Sequence, residues 1–136
     1  MTTSTRLAHQ TLIQKLLDNL PAGYTSKQIA LPNRGLDKPD GVKWIRVKVR
    51  NNDSINAAAG GVNGWRRYDG VFFIDIFYPK GNDDLAQIAE AESIALLYEN
   101  LTIDNEVKCQ NALIITDDEE YWYKVQIQID FTYEGR

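Results

Sequence analysis

VFFIDIFY, residues 71–78, decides how this chain folds. Side chains alternate between the two faces of a strand, and here both faces are apolar. Phe72, Ile74, Ile76 and Tyr78 make one row; Val71, Phe73 and Phe77 flank Asp75 in the other. Pro79-Lys80-Gly81 then ends the run. A strand apolar on both sides needs cover on both sides, by this chain or by another.

A second strand answers it. YWYKVQIQIDFTYEG, residues 121–135, places Tyr121, Tyr123, Val125, Ile127, Ile129, Phe131 and Tyr133 on one side. At ~3.3 Å per residue this run spans about 40 Å. Val107–Thr116 reads as another strand, joined to it by the acidic turn Asp117-Asp118-Glu119-Glu120. Upstream, Ile45, Val47 and Val49 face one way while Trp44, Arg46, Lys48 and Arg50 face the other, a half-buried strand with a basic outer face. KQIALPN (Lys27–Asn33) reads as an edge strand, because Pro32 cannot continue a central one, and Pro39-Asp40-Gly41 as a turn.

Two segments carry helical spacing. Leu12, Ile13, Leu16, Leu17 and Leu20 form one face of a helix from about Thr3 to Leu20, with Ser4 or Thr5 as its cap and Pro21 and Gly23 as its stop. Leu85, Ile88, Ala91, Ala95 and Tyr98 form a broad stripe on a second helix, capped by Asn82 or Asp83 and running to about Asn100. The resulting order, α-β-β-β-α-β-β, predicts one α+β domain over residues 1–136. Its sheet is antiparallel or mixed, and both helices pack mainly on one face.

A hydrophobic fraction of 43% and a charged fraction of 25% suit a soluble globular chain. No apolar run reaches the ~18 residues of a membrane helix, and MTTSTRLAHQ lacks the apolar core of a signal peptide. The single cysteine, Cys109, excludes an internal disulfide and fits a reducing compartment, so the Asn52-Asp53-Ser54 and Asn100-Leu101-Thr102 sequons read as chance. The net charge of −4 hides an asymmetry: residues 1–80 hold 12 Lys/Arg against 6 Asp/Glu, residues 81–136 hold 3 against 13. Halves of opposite sign suit a protomer that docks its basic side on a neighbour's acidic side. They suit phosphate binding less well, since the acidic half repels it.

Catalytic and metal signals are sparse. His9, the only histidine, lies beside the apolar face of the first helix. Cys109 alternates with Val107 and points inward, where a thiol acts as a small hydrophobe. Asp117–Glu120 reads as a solvated tip rather than a cation site, which takes six or more oxygens. Gly60-Gly61-Val62-Asn63-Gly64 lacks the lysine and hydroxyl of a phosphate loop. No cofactor, metal or enzyme activity is expected.

What remains is a patch and a loop. Trp44, Arg46, Lys48, Arg50, Trp65, Arg66 and Arg67, with Phe73 and Phe77, combine the residue types of binding hot spots. The basic strand 43–50, with Trp44 and Trp65, could also bind single-stranded nucleic acid by stacking its bases. Asn51–Gly64 supplies fourteen small or polar residues where strands of a hairpin usually need two to five, which predicts a flexible, functional loop.

The order of these parts resembles the small tail terminator, or tail-completion, proteins of long-tailed bacteriophages and prophages. The resemblance covers most of the chain and rests on FFIDIFYPKG (Phe72–Gly81), the Ala86–Leu97 helix and the closing Ile127–Glu134 strand. It implies a structural virion protein of the tail, assembled in the bacterial host cytoplasm as a hexameric ring. Such a ring caps the tail tube, stops its polymerisation and provides the head-joining surface. The implied partners are further copies of the chain, the tail tube protein and a head–tail connector protein, with no membrane and no specific nucleic acid. A neck or connector role in the same particle is the alternative of the same kind. The Asn51–Gly64 loop would then be an arm ordered by a neighbouring subunit or the tube.

Overall fold

The computed structural model describes residues 4–32, 42–56, 66–80, 84–118 and 122–135. Its elements run α1 (Thr5–Leu17), a 3-10 turn (Ser26–Gln28), β1 (Ile29–Ala30), β2 (Trp44–Asn56), β3 (Arg66–Pro79), α2 (Asp84–Ala95), β4 (Thr102–Ile103), β5 (Val107–Asp118) and β6 (Trp122–Gly135). Six strands form one sheet in the order β1-β2-β3-β6-β5-β4. β1 runs parallel to β2 and every other neighbouring pair is antiparallel, so the sheet is mixed and the α+β class stands.

β3 lies at the centre, with β2 on one side and β6 on the other. Its register with β6 is unbroken from Arg66↔Gly135 to Pro79↔Trp122. That pairing sets Phe72, Ile74 and Ile76 beside Ile129, Ile127 and Val125 on the face that the helices cover. Leu12 and Leu16 of α1 and Ala91, Ile94 and Ala95 of α2 complete this core, all buried. Small alanines on α2 let it approach the strands closely. Gln87, also buried, donates its Nε2 to the carbonyls of Ile76 and Tyr123 at 2.9 and 2.8 Å, tying α2 to both central strands.

Several boundaries differ from the sequence reading, each for a local reason. Ser4 accepts from the Leu7 N–H and caps α1, which ends at Leu17, three residues before Leu20, with Asp18 as its C-cap. α2 closes at Ala95 and a turn carries the chain to Asn100, which holds a left-handed φ of 56°. The tight bonds Leu97 N–H to Ile94 and Tyr98 N–H to Ala95 mark that change. They deliver Tyr98 into the core, where its hydroxyl donates to the Leu12 carbonyl at 2.7 Å and joins the two helices. The predicted order lacked β4. Asp104 and Asn105 both hold positive φ, the conformation that turns a tight hairpin, and they fold Thr102–Ile103 back onto Val107–Lys108.

The expected loop shortens too. Asn51–Asn56, read as its first part, continues β2 against β3 through a bulge between Asn51 and Ser54; residues 57–65 lie outside the described residues. Gly70 explains how that far end packs. A Cβ there would stand 2.4 Å from Phe131 Cζ and 2.6 Å from the Arg50 carbonyl oxygen, so only glycine lets the Phe131 ring lie across β3.

Cys109 does point inward, 1% exposed, and desolvation pushes its thiol up from 9.0 to about 12. A raised pKa favours the protonated form in the folded state. Its contribution is therefore fully present below about pH 9 and declines as pH rises from there towards 12. At pH 8 the native thiol should react with a disulfide reagent only as fast as the protein opens. Stoichiometric labelling within seconds in native buffer would contradict this.

Candidate assembly interface

Both helices pack on one side of the sheet, which leaves the other side open among the described residues. β2 sends Trp44, Arg46, Lys48 and Arg50 to that side, β3 sends Phe73, Asp75 and Phe77, and β6 sends Trp122, Lys124, Gln126 and Gln128. β5 adds Leu113 and Ile115, opposite Gln128 and Gln126. The face has two parts with different chemistry.

At one end, Trp44 and Phe77 stack with centroids 4.1 Å apart, and Trp122 meets Trp44 edge-on at 6.1 Å. Ala30 completes this small second core. Trp44 and Phe77 are thus 3% and 1% exposed within a single protomer. The protomer buries these two rings against each other.

In the middle, Asp75 is buried, and its Oδ2 accepts from Arg46 Nε and Nη2 at 3.1 and 2.9 Å. Its Oδ1 accepts from Gln126 at 2.8 Å, and Gln128 donates to Gln126 at 2.7 Å. Four residues from three strands therefore form one satisfied polar row. A carboxylate fixed by a guanidinium fork and an amide is well suited to hold strand register. Arg50 lies 5.4 Å from the partly buried ring of Phe73. Arg46, Lys48, Arg50, Phe73, Asp75, Lys124 and Gln126 line a shallow cleft of about 430 Å³. Among the described residues neither Lys48 nor Arg50 has a carboxylate partner. Leu113 and Ile115 stand beside this row, 56% and 38% exposed.

The structure therefore brings Arg46, Lys48, Arg50 and Phe73 together. Arg66 and Arg67 sit at the far end of β3, opposite Gly135 and Glu134, with Arg67 3.9 Å from Asp69. Trp65 lies outside the described residues. Sequence reasoning passed over Asp75, Gln126, Leu113 and Ile115. The signal for the last two was present: Ala112-Leu113-Ile114-Ile115 is apolar on both faces of a strand, as 71–78 is.

A second polar group lies on the helix side and invites a catalytic reading. Glu90 of α2 accepts from the hydroxyls of Tyr24 and Tyr78 and from Lys43 Nζ, the last two at 3.0 and 2.8 Å. Lys43 also donates to the Ala22 carbonyl and lies 4.4 Å from the Tyr24 ring centre. Burial first, and then the Glu90 carboxylate, raise both phenol pKa values far above the ordinary 10. Phenols made less acidic are poor proton donors and poorer nucleophiles. The group works as a clasp. With Gln28, which donates to the Gly23 and Lys43 carbonyls, it holds residues 21–30 against α2 and β2. His9 is likewise structural, its Nε2 3.0 Å from Asn51 Oδ1. Among the described residues no three His, Cys, Asp or Glu side chains gather as a metal site would require, and Glu119 and Glu120 lie outside them. Among the described residues no helix is long and apolar enough to cross a membrane.

The family model for the phage tail terminator protein matches residues 8–131. The chain belongs to the phage tail terminator family. That span takes in most of α1, all of α2 and β1–β5, and most of β6, so it covers the helix-free face as well as the core. The family is a structural one, a component of the virion that meets other tail and head proteins. A comparison with curated proteins found no match. Among solved structures, one chain superposes with a TM-score of 0.63 at 20% identity, over 91% of this chain and 94% of its own length. At that identity the likeness shows the shared fold alone.

Proposed function

We propose that this tail terminator assembles as a ring, six subunits in the reading its family supports. The ring caps the finished tail tube, halts its polymerisation and presents the surface that the head joins. The observation that carries the reading is the helix-free side of the sheet. It carries exposed Leu113 and Ile115 and the cations Lys48 and Arg50, which have no carboxylate partner among the described residues, in a family whose members meet other virion proteins. Apolar side chains beside charge without a partner are poorly served by water and well served by a complementary protein.

Sedimentation of the purified protein, alone and with tail tubes, tests this, with negative-stain microscopy of the heaviest species. Closed rings, and tubes that stop growing once the protein is added, are expected. Tubes that elongate unchanged in its presence would overturn the terminator role.

A further inference from the structure

The sheet has two unfinished edges. β1 covers β2 only at Ile45 and Arg46, so among the described residues positions 47–56 of β2 have no strand on their outer side. β4 covers β5 only at Val107 and Lys108, and the Cys109 N–H and Gln110 carbonyl are taken by Leu101 and Asn100. Positions 111–118 of β5 have no outer strand among the described residues. Natural sheets blunt such edges with Pro, Lys, bulges or very short strands. N-A-L-I-I-T-D-D contains neither Pro nor Lys.

The geometry points to these two edges as halves of one contact, β5 of one protomer adding to β2 of the next copy of the same chain. Three observations commit the occupant. First, direction: β2 and β5 run opposite ways across the sheet, so a neighbour placed by rotation about an axis roughly along the strands meets β2 antiparallel. Second, charge: the β2 edge carries Lys48 and Arg50 without carboxylate partners among the described residues, while the β5 edge carries exposed Asp117 near its end. Third, register: through the ladder Lys48↔Phe73↔Gln128↔Leu113, Lys48 is level with Leu113. A level join would drive β1 into the neighbour's Ile115 and Thr116. Sliding the neighbour by about four residues, ~13 Å at strand spacing, clears β1. It also brings Asp117 beside Lys48 and Arg50. Closing a sheet on itself requires such a stagger.

This inference rests on the ring reading and supplies its contact; the test separates the two. The Cys109 N–H turns away from β6, and the extra residue between Cys109 and Ala112 resets the alternation. Residues 112, 114, 116 and 118 then turn their N–H groups outward. Thr116→Pro therefore removes a donor from the free edge and none from the β5–β6 ladder, where edge proline is tolerated. With protomer melting unchanged, the concentration for half-assembly should rise about tenfold. Lys48→Asp and Asp117→Lys should each weaken assembly several-fold at low salt, and the double exchange should restore it. If wild type forms rings and all three variants form them equally well, the edge contact is wrong and the ring reading stands. If wild type forms no ring even on tail tubes, both fall.

Discussion

Replacing Glu90 with alanine is expected to destabilise the fold by about 3 kcal/mol, the loss caused by removing one member of a largely buried ion pair. Glu90 and Lys43 side chains are 11% and 23% exposed, and Tyr24 and Tyr78 also donate to this carboxylate. Truncation would strand an ammonium and two hydroxyls at once. Lys43 keeps some access to water, which holds the estimate at the lower end of such losses. For a domain of this size the midpoint of thermal unfolding should fall by about 10 °C. Glu90→Gln, which keeps an acceptor but not the charge, should fall in between. Urea unfolding of the three proteins decides it. An alanine variant within about 0.5 kcal/mol of wild type would mean that the clasp does not form in solution.

Phe72→Ala should cost about 3–5 kcal/mol, the range for an aromatic removed from a closed core. Phe72 is fully buried, packs edge-on to Tyr98 at 5.5 Å, and lies between Val49 of β2 and Ile129 of β6. The next residue makes the control. Phe73 points to the open side, partly exposed, with Arg50 over its ring. Phe73→Ala should therefore cost about 1 kcal/mol in the protomer, in keeping with the smaller area it buries, and show its main effect on assembly. Equal losses at the two positions would mean that both faces are covered within one chain.

That pair also shows how far the sequence could be read. Alternation assigned Phe72, Ile74 and Ile76 to one face and Phe73, Asp75 and Phe77 to the other, because side-chain period is a property of the strand alone. It could not tell that Trp44 would stack on Phe77. That contact depends on the register of β2 with β3, set by pairings across the whole hairpin. Nor could it tell that Arg46 would meet Asp75, for the same reason. β4 was hidden by its length, since two residues carry no periodicity. The bulges at Asn51–Ser54 and Cys109–Ala112 were hidden because an extra residue breaks the very alternation used to find a strand. The basic row Arg46, Lys48, Arg50 was legible; its separation from Arg66 and Arg67 along β3 was a matter of distance, which spacing in a sequence does not measure.

The position of β6 bears on how the protein is made. It follows the other five strands in the chain, yet it lies inside the sheet, between β3 and β5. On a ribosome adding about 5–20 residues per second, β6 begins to emerge roughly 2–8 s after β3 is complete. Through that interval Phe72, Ile74 and Ile76 have no partner strand on one side. The β2–β3 and β4–β5 pairs are two separate pieces with nothing to join them. A chain released with β6 cut short would lose the seam that unites its halves, and would present two sticky half-sheets to the chaperones.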